Sequence, residues 1–152
     1  MIKNKKTIVI CSSCAFYAQV LEVEKKLKDL GFIVKVPLTA TEMKKSGNFK
    51  VETYKTWMEN PKSYKRKAYL TQKHFEKVAK GDIVLVLNYK KNGKDGYIGG
   101  AVLSEMAVAF YLKKPIYILN PIDESSSFKE ELYGFLPIIL NGKLDLLKKY
   151  LK

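Results

Sequence analysis

Arginine and histidine are scarce in this chain, although it is strongly basic. Arg66 is its single arginine and His74 its single histidine, whereas lysine and arginine together number 28 and the formal net charge is +13 at pH 7. Recognition of nucleic acid favours the bidentate fork of arginine, and the lysines are spread along the whole chain rather than gathered on one arm. We therefore expect no nucleic-acid partner. The charge leaves open an attraction for small phosphorylated substrates.

Cysteine is also rare, because Cys11 and Cys14 are the only two in the chain. One Cys-x-x-Cys pair cannot staple a secreted fold. No second cysteine pair and no histidine cluster is present to complete a zinc site. We expect neither a structural metal nor a cofactor.

Long apolar runs are missing as well. The first apolar run near the N-terminus is too short for a signal peptide, and no run approaches the length of a membrane span. We expect a cytoplasmic protein without a membrane segment.

A chain of 152 residues with 47% hydrophobic content suits one compact domain, here 1–152.

Strand and helix signals alternate along the chain. Apolar runs predict strands at 7–11, 32–36, 83–87, 115–119 and 136–140. Helical spacing or capping residues predict helices ending at Gly31 and Gly81, and further helices at 101–113, 127–133 and 143–151. This alternation predicts a three-layer, doubly wound α/β fold of the flavodoxin or Rossmann type, with five parallel strands in the order 2-1-3-4-5. The polar, poorly periodic stretch 38–60 predicts a lid or an insertion.

A sheet with this strand order binds ligands where the order reverses, between strands 1 and 3. The loops that border this crevice follow strand 1 at 11–15 and strand 3 at 88–100. We therefore expect both loops to supply substrate-binding residues. The candidates are Cys11, Ser12, Ser13, Asn88, Tyr97, Gly99 and Gly100.

The cysteine pair has four interpretations. A dithiol of the thioredoxin type is disfavoured, because the spacer lacks Gly-Pro and the second half of the chain repeats a strand-loop-helix unit. A phosphatase loop needs an arginine shortly after Cys11, and Arg66 is too distant in sequence. The third interpretation is a tight loop of small residues that presents N–H groups and hydroxyls to an anionic or sugar-like ligand. A purely structural role for each cysteine stays open.

Glu105 is the one charged residue in the first three turns of the apolar helix 101–113. A carboxylate there is costly unless it is paired or faces a cavity. We therefore take Glu105 as the main functional candidate. The alternative is an ion pair with a lysine.

The sequences 82–121 and 9–37 together resemble the nucleoside 2-deoxyribosyltransferase superfamily, in particular a small archaeal and bacterial branch related to the deoxynucleoside-5′-monophosphate N-hydrolases. The resemblance covers about four fifths of the chain. Its hallmarks are an acidic strand start, a glycine loop and a glutamate on the next helix, here Asp82, Gly99-Gly100 and Glu105.

The resemblance implies that Glu105 attacks the anomeric carbon of a nucleoside or nucleotide, and that water or a second base then accepts the sugar. A carboxylate suits this chemistry because it stabilises an oxocarbenium-like transition state. The resemblance also implies a homodimer. The aromatic residues of the second half favour one too, since interfaces are enriched in aromatics: Phe110, Tyr111, Tyr117, Phe128, Tyr133 and Phe135.

Three positions differ from the pattern of the superfamily. Ser12 replaces a glycine, Ala15 stands near the place of a phosphate-binding arginine, and His74 replaces an aspartate that helps to protonate the departing base. Histidine can supply that proton because its ordinary pKa is close to neutrality. We expect Asp82 to position its strand rather than to take part in chemistry.

These differences leave a non-catalytic nucleotide-binding or sensing module as the main alternative to an enzyme. The chain matches the Gly-Gly-x-x-Thr-x-x-Glu motif of the phosphoribohydrolases only in part, because Val102-Leu103-Ser104 occupy the region where that motif has its threonine.

Overall fold

The structure, a computed structural model, describes residues 4–152. Five parallel strands form one sheet: β1 Thr7–Ser12, β2 Ile33–Lys35, β3 Ile83–Leu87, β4 Ile116–Ile118 and β5 Ile138–Ile139. Their order is β2-β1-β3-β4-β5, which confirms the predicted order. In the central pairs, Ile8 lies opposite both Val34 and Ile83.

Most strands are shorter than the apolar runs that predicted them. The N–H of Phe32 donates to Leu27 O at 3.1 Å and closes the preceding helix, so β2 begins only at Ile33. Pro115 and Pro137 lack an N–H to pair, and β4 and β5 each begin one residue later. By contrast, β1 extends one residue beyond its predicted end, to Ser12.

The helices are α1 Tyr17–Leu30, α2 Leu38–Ser46, α3 Val51–Tyr54, α4 Tyr64–Lys80, α5 Gly100–Tyr111 and α6 Lys129–Gly134. Short 3-10 turns, Cys14–Phe16 and Pro61–Ser63, precede α1 and α4, and a longer 3-10 segment, Leu144–Leu151, replaces the predicted closing helix. At Gly31 a left-handed φ of 113° lets the N–H bond back to Leu27 and Lys28, which ends α1. The Asn60 side chain caps the turn before α4 by accepting from the N–H of Lys62.

The segment 38–60 is more ordered than its sequence indicates. It contains α2 and α3, and α2 buries Thr39, Ala40 and Met43. The lid or insertion at 38–60 stays a prediction, and its first part, Leu38–Ser46, is helical. These three small or flexible side chains, one of them polar, are too weak a pattern to identify a helix from sequence. The helix forms because α2 packs against the neighbouring α1 and α4.

The sheet has an apolar layer on each face because successive strand residues point to opposite sides. Ile8 and Ile10 belong to the layer that also contains Val20 and Leu27 of α1. Val9 and Cys11 belong to the other layer, together with residues of α4, α5 and α6. This alternation directs the Cys11 side chain toward α4 and α5.

The start of β1 is held by Asp82, which we expected to position its own strand, β3. Asp82 Oδ2 accepts a hydrogen bond from the Thr7 N–H at 2.8 Å. Asp82 precedes β3 at the end of the sheet opposite to the predicted crevice. It therefore joins β1 to β3 and is remote from the crevice.

Helix α5 is less completely buried than its composition predicts. Val102, Met106 and Ala109 are buried, but Phe110 is 47% exposed and Tyr111 is 83% exposed. The C-terminal turn of α5 thus presents aromatic side chains to the surface. In the described range 4–152, no helix has both the length and the apolar character needed to cross a membrane.

Candidate functional site

A pocket lies at the carboxyl ends of β1 and β3, where the strand order predicted it. Its walls come from the loop after β1 with the start of α1, the segment 37–57, the inner side of α4, and the loop that leads into α5 with the start of that helix. Ser12 and Ser13 enter from the first loop, Tyr97 and the two glycines from the last, and His74 and Glu105 from the two helices.

Three side chains that are far apart in sequence meet beside this pocket. Cys11 comes from β1, His74 from α4 and Glu105 from α5. His74 Nε2 lies 3.5 Å from Cys11 Sγ and 4.0 Å from Glu105 Oε2. One ligand atom of each residue lies within 4.8 Å of the other two. We call these three residues the Cys-His-Glu cluster.

The hydrogen bonds of His74 determine which nitrogen carries its proton. Nε2 lies 3.0 Å from the carbonyl oxygen of Ile10, which can only accept, so Nε2 carries the hydrogen and donates it. Nδ1 is buried and has no hydrogen-bond partner among the described residues. Burial, with a smaller effect of Lys77, lowers the pKa of His74 to about 4. The ring is therefore neutral at pH 7.

Glu105 occupies an environment that opposes its ionisation. Its side chain is 13% exposed. Burial raises its pKa to about 8, against smaller lowering effects from the Cys11 thiol and the positive charge of Lys67. Within residues 4–152 no lysine nitrogen lies within 4.0 Å of its carboxylate, so the lysine ion pair considered from the sequence does not form.

The Cys-His-Glu cluster has donor atoms that suit zinc, but its surroundings do not fit a metal ion. A metal on Nε2 would displace the bond to Ile10 and force the proton onto Nδ1. A ligating histidine normally donates its other N–H to an acceptor, and Nδ1 has none in the described chain. The hydrogen bonding of His74 thus favours a metal-free cluster.

Both cysteines are free thiols with unfavourable surroundings for a thiolate. Burial raises the pKa of Cys11 well above its ordinary value and, despite nearby lysines, also raises that of Cys14. The first thiol of a thioredoxin-type pair has a lowered pKa. The electrostatics of the loop therefore disfavour redox chemistry.

Positive charge surrounds the mouth of the pocket. Lys55, Lys67 and Lys91 line it, and all three act on the pKa of Cys14 in the lowering direction. Lys91 Nζ donates to Ser13 Oγ at 3.2 Å and lies 4.8 Å from the centre of the Tyr97 ring. No feature of the sequence distinguished these lysines from the others, because they come from three separate segments.

The structure brings most of the predicted binding residues together. Ser12, Ser13, Tyr97, Gly99 and Gly100 all line the pocket. A Cβ on Gly99 would lie 3.0 Å from the Tyr97 hydroxyl, so glycine there allows the loop to fold closely against this ring. Cys11 is fully buried and does not line the pocket, but it contacts His74, which does.

Asn88, like Cys11, is a predicted binding residue that does not line the pocket. Its side chain is fully buried. Its amide accepts from the Asn120 N–H at 2.8 Å and donates to the carbonyl oxygens of Asn120 and Pro121 at 2.8 and 3.3 Å. The structure thus gives Asn88 a structural role, joining the loops after β3 and β4, in place of the expected contact with substrate.

Three aromatic residues of the pocket were not predicted from the sequence. Tyr17 of α1, Tyr54 of α3 and Trp57 contribute side chains to its wall. Burial raises the pKa of Tyr17 well above its ordinary value, with a further effect of Cys14 and Glu105. Trp57 is the only tryptophan and lies in a polar stretch, and this unusual position could have identified it from the sequence. No sequence feature distinguishes Tyr17 and Tyr54 from the other tyrosines.

Comparison with known proteins supports the fold. No protein-family model and no curated protein matches the chain. Among solved structures, it is similar to a 2-deoxyribosyltransferase from the psychrotolerant bacterium Bacillus psychrosaccharolyticus, a biocatalyst for the synthesis of antiviral and antitumoral nucleosides. The identity is 19%, the match covers 81% of this chain and 78% of that chain, and the TM-score is 0.52. The chain therefore has the fold of a 2-deoxyribosyltransferase.

Proposed function

We propose that this protein cleaves or transfers the N-glycosidic bond of a nucleoside or nucleotide, with Glu105 as the nucleophile. The observation that carries the proposal is the position of Glu105. It is a carboxylate in the wall of the pocket, its pKa is raised, and no lysine of residues 4–152 lies within bonding distance of it. Strongly perturbed pKa values in a cleft are typical of functional groups. The likeness to a 2-deoxyribosyltransferase supports the choice of reaction.

In the proposed reaction a Glu105 oxygen forms a bond to the anomeric carbon while the bond from that carbon to the base nitrogen breaks. The base leaves with the bonding electrons and takes up a proton. Water or a second base then attacks the same carbon and releases Glu105. The negative charge of the carboxylate stabilises the oxocarbenium character of both transition states.

His74 is the candidate for protonating the departing base, and its state in the free pocket opposes that role. It is neutral at pH 7, and its Nε2–H is already donated to Ile10. Nδ1 is a free acceptor rather than a donor. We propose that His74 mainly orders the pocket, and that a protonating role requires a change of its hydrogen bonds on substrate binding.

The lysines favour substrates that carry a negative group. Lys55, Lys67 and Lys91 surround the pocket, and Ser13 is held by Lys91 at its rim. Lysine binds phosphate as a point charge, so the arginine absent near Ala15 is not required. We propose a phosphorylated nucleoside as the preferred substrate.

The test is the release of free base from a panel of nucleosides and 5′-monophosphates. Wild type is expected to release base, and Glu105→Gln to bind the same substrate with its turnover abolished. Glu130→Gln is the matched control, since Glu130 is exposed on α6. Because the pKa of Glu105 is about 8, kcat/KM is expected to rise with pH up to that value. A fall over the same range would assign Glu105 as an acid instead.

A non-catalytic nucleotide-binding module remains the second candidate. It is favoured by the neutral, hydrogen-bonded state of His74 and by Glu105 being the single carboxylate that lines this pocket in the described chain. Calorimetric binding of a nucleotide without any release of base from the whole panel would support the module over the enzyme.

We also propose that the protein is a homodimer. Phe110, Tyr111 and Tyr133 of the aromatic set are exposed, by 47%, 83% and 43%. Leu136 nearby in sequence is 80% exposed. Tyr117, by contrast, is buried in the core and gives no support to an interface. Exposed aromatic side chains favour a protein interface.

A further inference from the structure

A second cavity lies between the C-terminal half of α4 and the β1–β2 side of the sheet. Its volume is about 290 Å³, close to the lower limit of about 300 Å³ for pockets that bind small molecules. It shares no lining residue with the pocket that Glu105 lines. Its charged lining residues are Lys35 of β2 and Lys73, Glu76, Lys77 and Lys80 of α4. We call it the lysine cavity.

Positive charge exceeds negative charge in the lysine cavity. Its single glutamate is paired with Lys73, with 3.6 Å between Nζ and Oε2. In the range 4–152 no carboxylate oxygen lies within 4.0 Å of the Nζ atoms of Lys35, Lys77 and Lys80. The nearby Asp82 does not line the cavity, and its Oδ2 accepts from the Thr7 N–H. Three lysine charges therefore meet here without a counter-charge.

Lys77 is held in a fixed position in this cavity. Its Nζ donates to the carbonyl oxygen of Val36 at 2.7 Å, and its side chain is half-buried. An ammonium group has three hydrogens, so two donors of Lys77 are left for a ligand. Burial and the positive charge of Lys35 lower the pKa of Lys77. An anion in the cavity would offset the repulsion between these two lysines.

The end of helix α4 explains only part of this charge. Lys77 and Lys80 lie in its last turn, where cations stabilise the negative end of the helix dipole. That end carries about half an elementary charge, which is less than the charge of one lysine. Lys35 lies on a strand and Lys73 lies a turn earlier in the helix, so the helix end does not account for them.

We propose that the lysine cavity binds a small molecule that carries a phosphate or diphosphate group. Lysine binds phosphate as a point charge, and ammonium groups from two elements, α4 and β2, line this one cavity. Lys73, Lys77 and Lys80 follow one another at a spacing that places them on the same face of α4. The site is independent of the reaction proposed for Glu105.

The experiment is an NMR titration of the ¹⁵N-labelled chain with pyrophosphate. The backbone amides of Thr7 and Gly81 report on the lysine cavity, whereas those of Ser13 and Gly99 report on the pocket that Glu105 lines. We expect saturable shifts at Thr7 and Gly81 with a Kd of about 1 mM or lower. Sodium chloride at the same ionic strength is expected not to reproduce them, since screening is not saturable binding.

A second arm of the titration uses ADP, which carries the same diphosphate group on a nucleoside. Saturable shifts at Thr7 and Gly81 with either compound support the proposal. A lower Kd for ADP than for pyrophosphate would show that the cavity also holds the organic part of the ligand. Equal values would assign the binding to the diphosphate group alone.

Matched lysine variants test which charges hold the anion. Lys35→Met and Lys80→Met each remove one exposed ammonium group and are expected to weaken pyrophosphate binding about tenfold, because a charge-assisted contact is lost. Lys26→Met, on the exposed side of α1, removes the same charge outside the cavity and is expected to leave the Kd unchanged. Lys91→Met, in the other pocket, is expected to leave the shifts at Gly81 unchanged.

Three results would overturn the proposal. The first is the absence of saturable shifts at Thr7 and Gly81, including the case in which only Ser13 and Gly99 respond. The second is an equal response to sodium chloride. The third is a Kd that Lys26→Met weakens as much as Lys35→Met and Lys80→Met do, because the anion would then respond to the overall charge of the chain.

Discussion

The pH dependence of stability of Glu105→Gln is the most direct test of how Glu105 is held. The folded chain raises the pKa of this carboxyl group from an ordinary value of 4.5 to about 8. The folded state therefore binds the proton more tightly than the unfolded state. Stability is highest below the unfolded pKa, falls as the pH rises between the two values, and reaches its lower limit above the folded pKa.

The size of this loss follows from the two pKa values. A difference of about 3.5 units corresponds to about 5 kcal/mol between full protonation and full ionisation. About 3 kcal/mol of this is lost by pH 7, where the folded carboxyl group is still mostly protonated. Glutamine does not ionise, so its free energy of unfolding lacks this pH dependence.

We expect Glu105→Gln to gain stability relative to wild type as the pH is raised. Between about pH 5 and pH 9 the difference in free energy of unfolding should change by about 4 kcal/mol, which is roughly 8 to 16 °C in Tm for a chain of this size. Any cost of the altered packing does not change with pH, so the slope with pH is the diagnostic quantity.

The assay is urea and thermal unfolding followed by circular dichroism at three pH values, with Glu130→Gln as the control. The control replaces an exposed glutamate and is expected to follow wild type. A difference that stays constant with pH, or a glutamine variant that becomes relatively less stable at high pH, would refute the reasoning. A constant difference would mean that folding does not shift the pKa of Glu105, and a relative loss at high pH would mean that a partner holds the carboxylate charged. In either case the catalytic assignment would lose its basis.

Three further predictions follow from the loops and the surface. Lys91→Met is expected to raise KM for a 5′-monophosphate about tenfold or more, because a charge-assisted bond to the phosphate is lost. KM for the unphosphorylated nucleoside should change little. Lys94→Met is the control, since Lys94 lies outside the pocket. In an insulin-reduction assay the wild-type chain should show no disulfide reductase activity, since the pKa values of both thiols are raised. Reductase activity in wild type that disappears in a Cys11→Ser, Cys14→Ser double variant would contradict this. Light scattering at micromolar concentration should give the mass of a dimer. Tyr111→Lys should lower that mass toward a monomer, because Tyr111 is 83% exposed and belongs to the proposed interface. A monomeric wild type would reject the dimer.

The sequence determined the framework of this protein because the relevant signals are local. The continuous apolar run 83–87 indicates a strand covered on both faces, and Gly31 indicates the end of a helix. Alternation of strands and helices then restricts the chain to a parallel sheet, whose common order places the site between β1 and β3. An isolated glutamate on an apolar helix is likewise visible without a structure.

Only the tertiary structure decided how the site is composed. Cys11, His74 and Glu105 come from three elements, and their meeting depends on which face of β1 and which sides of α4 and α5 turn inward. The pKa values of His74 and Glu105 depend on the burial that results from this packing. The partner of Asn88 could not be read from the sequence either. Its position after β3 predicted a contact with a ligand, but its buried amide bonds to the backbone of Asn120. Distance and desolvation are properties of packed elements, and a residue's neighbours in sequence do not specify them.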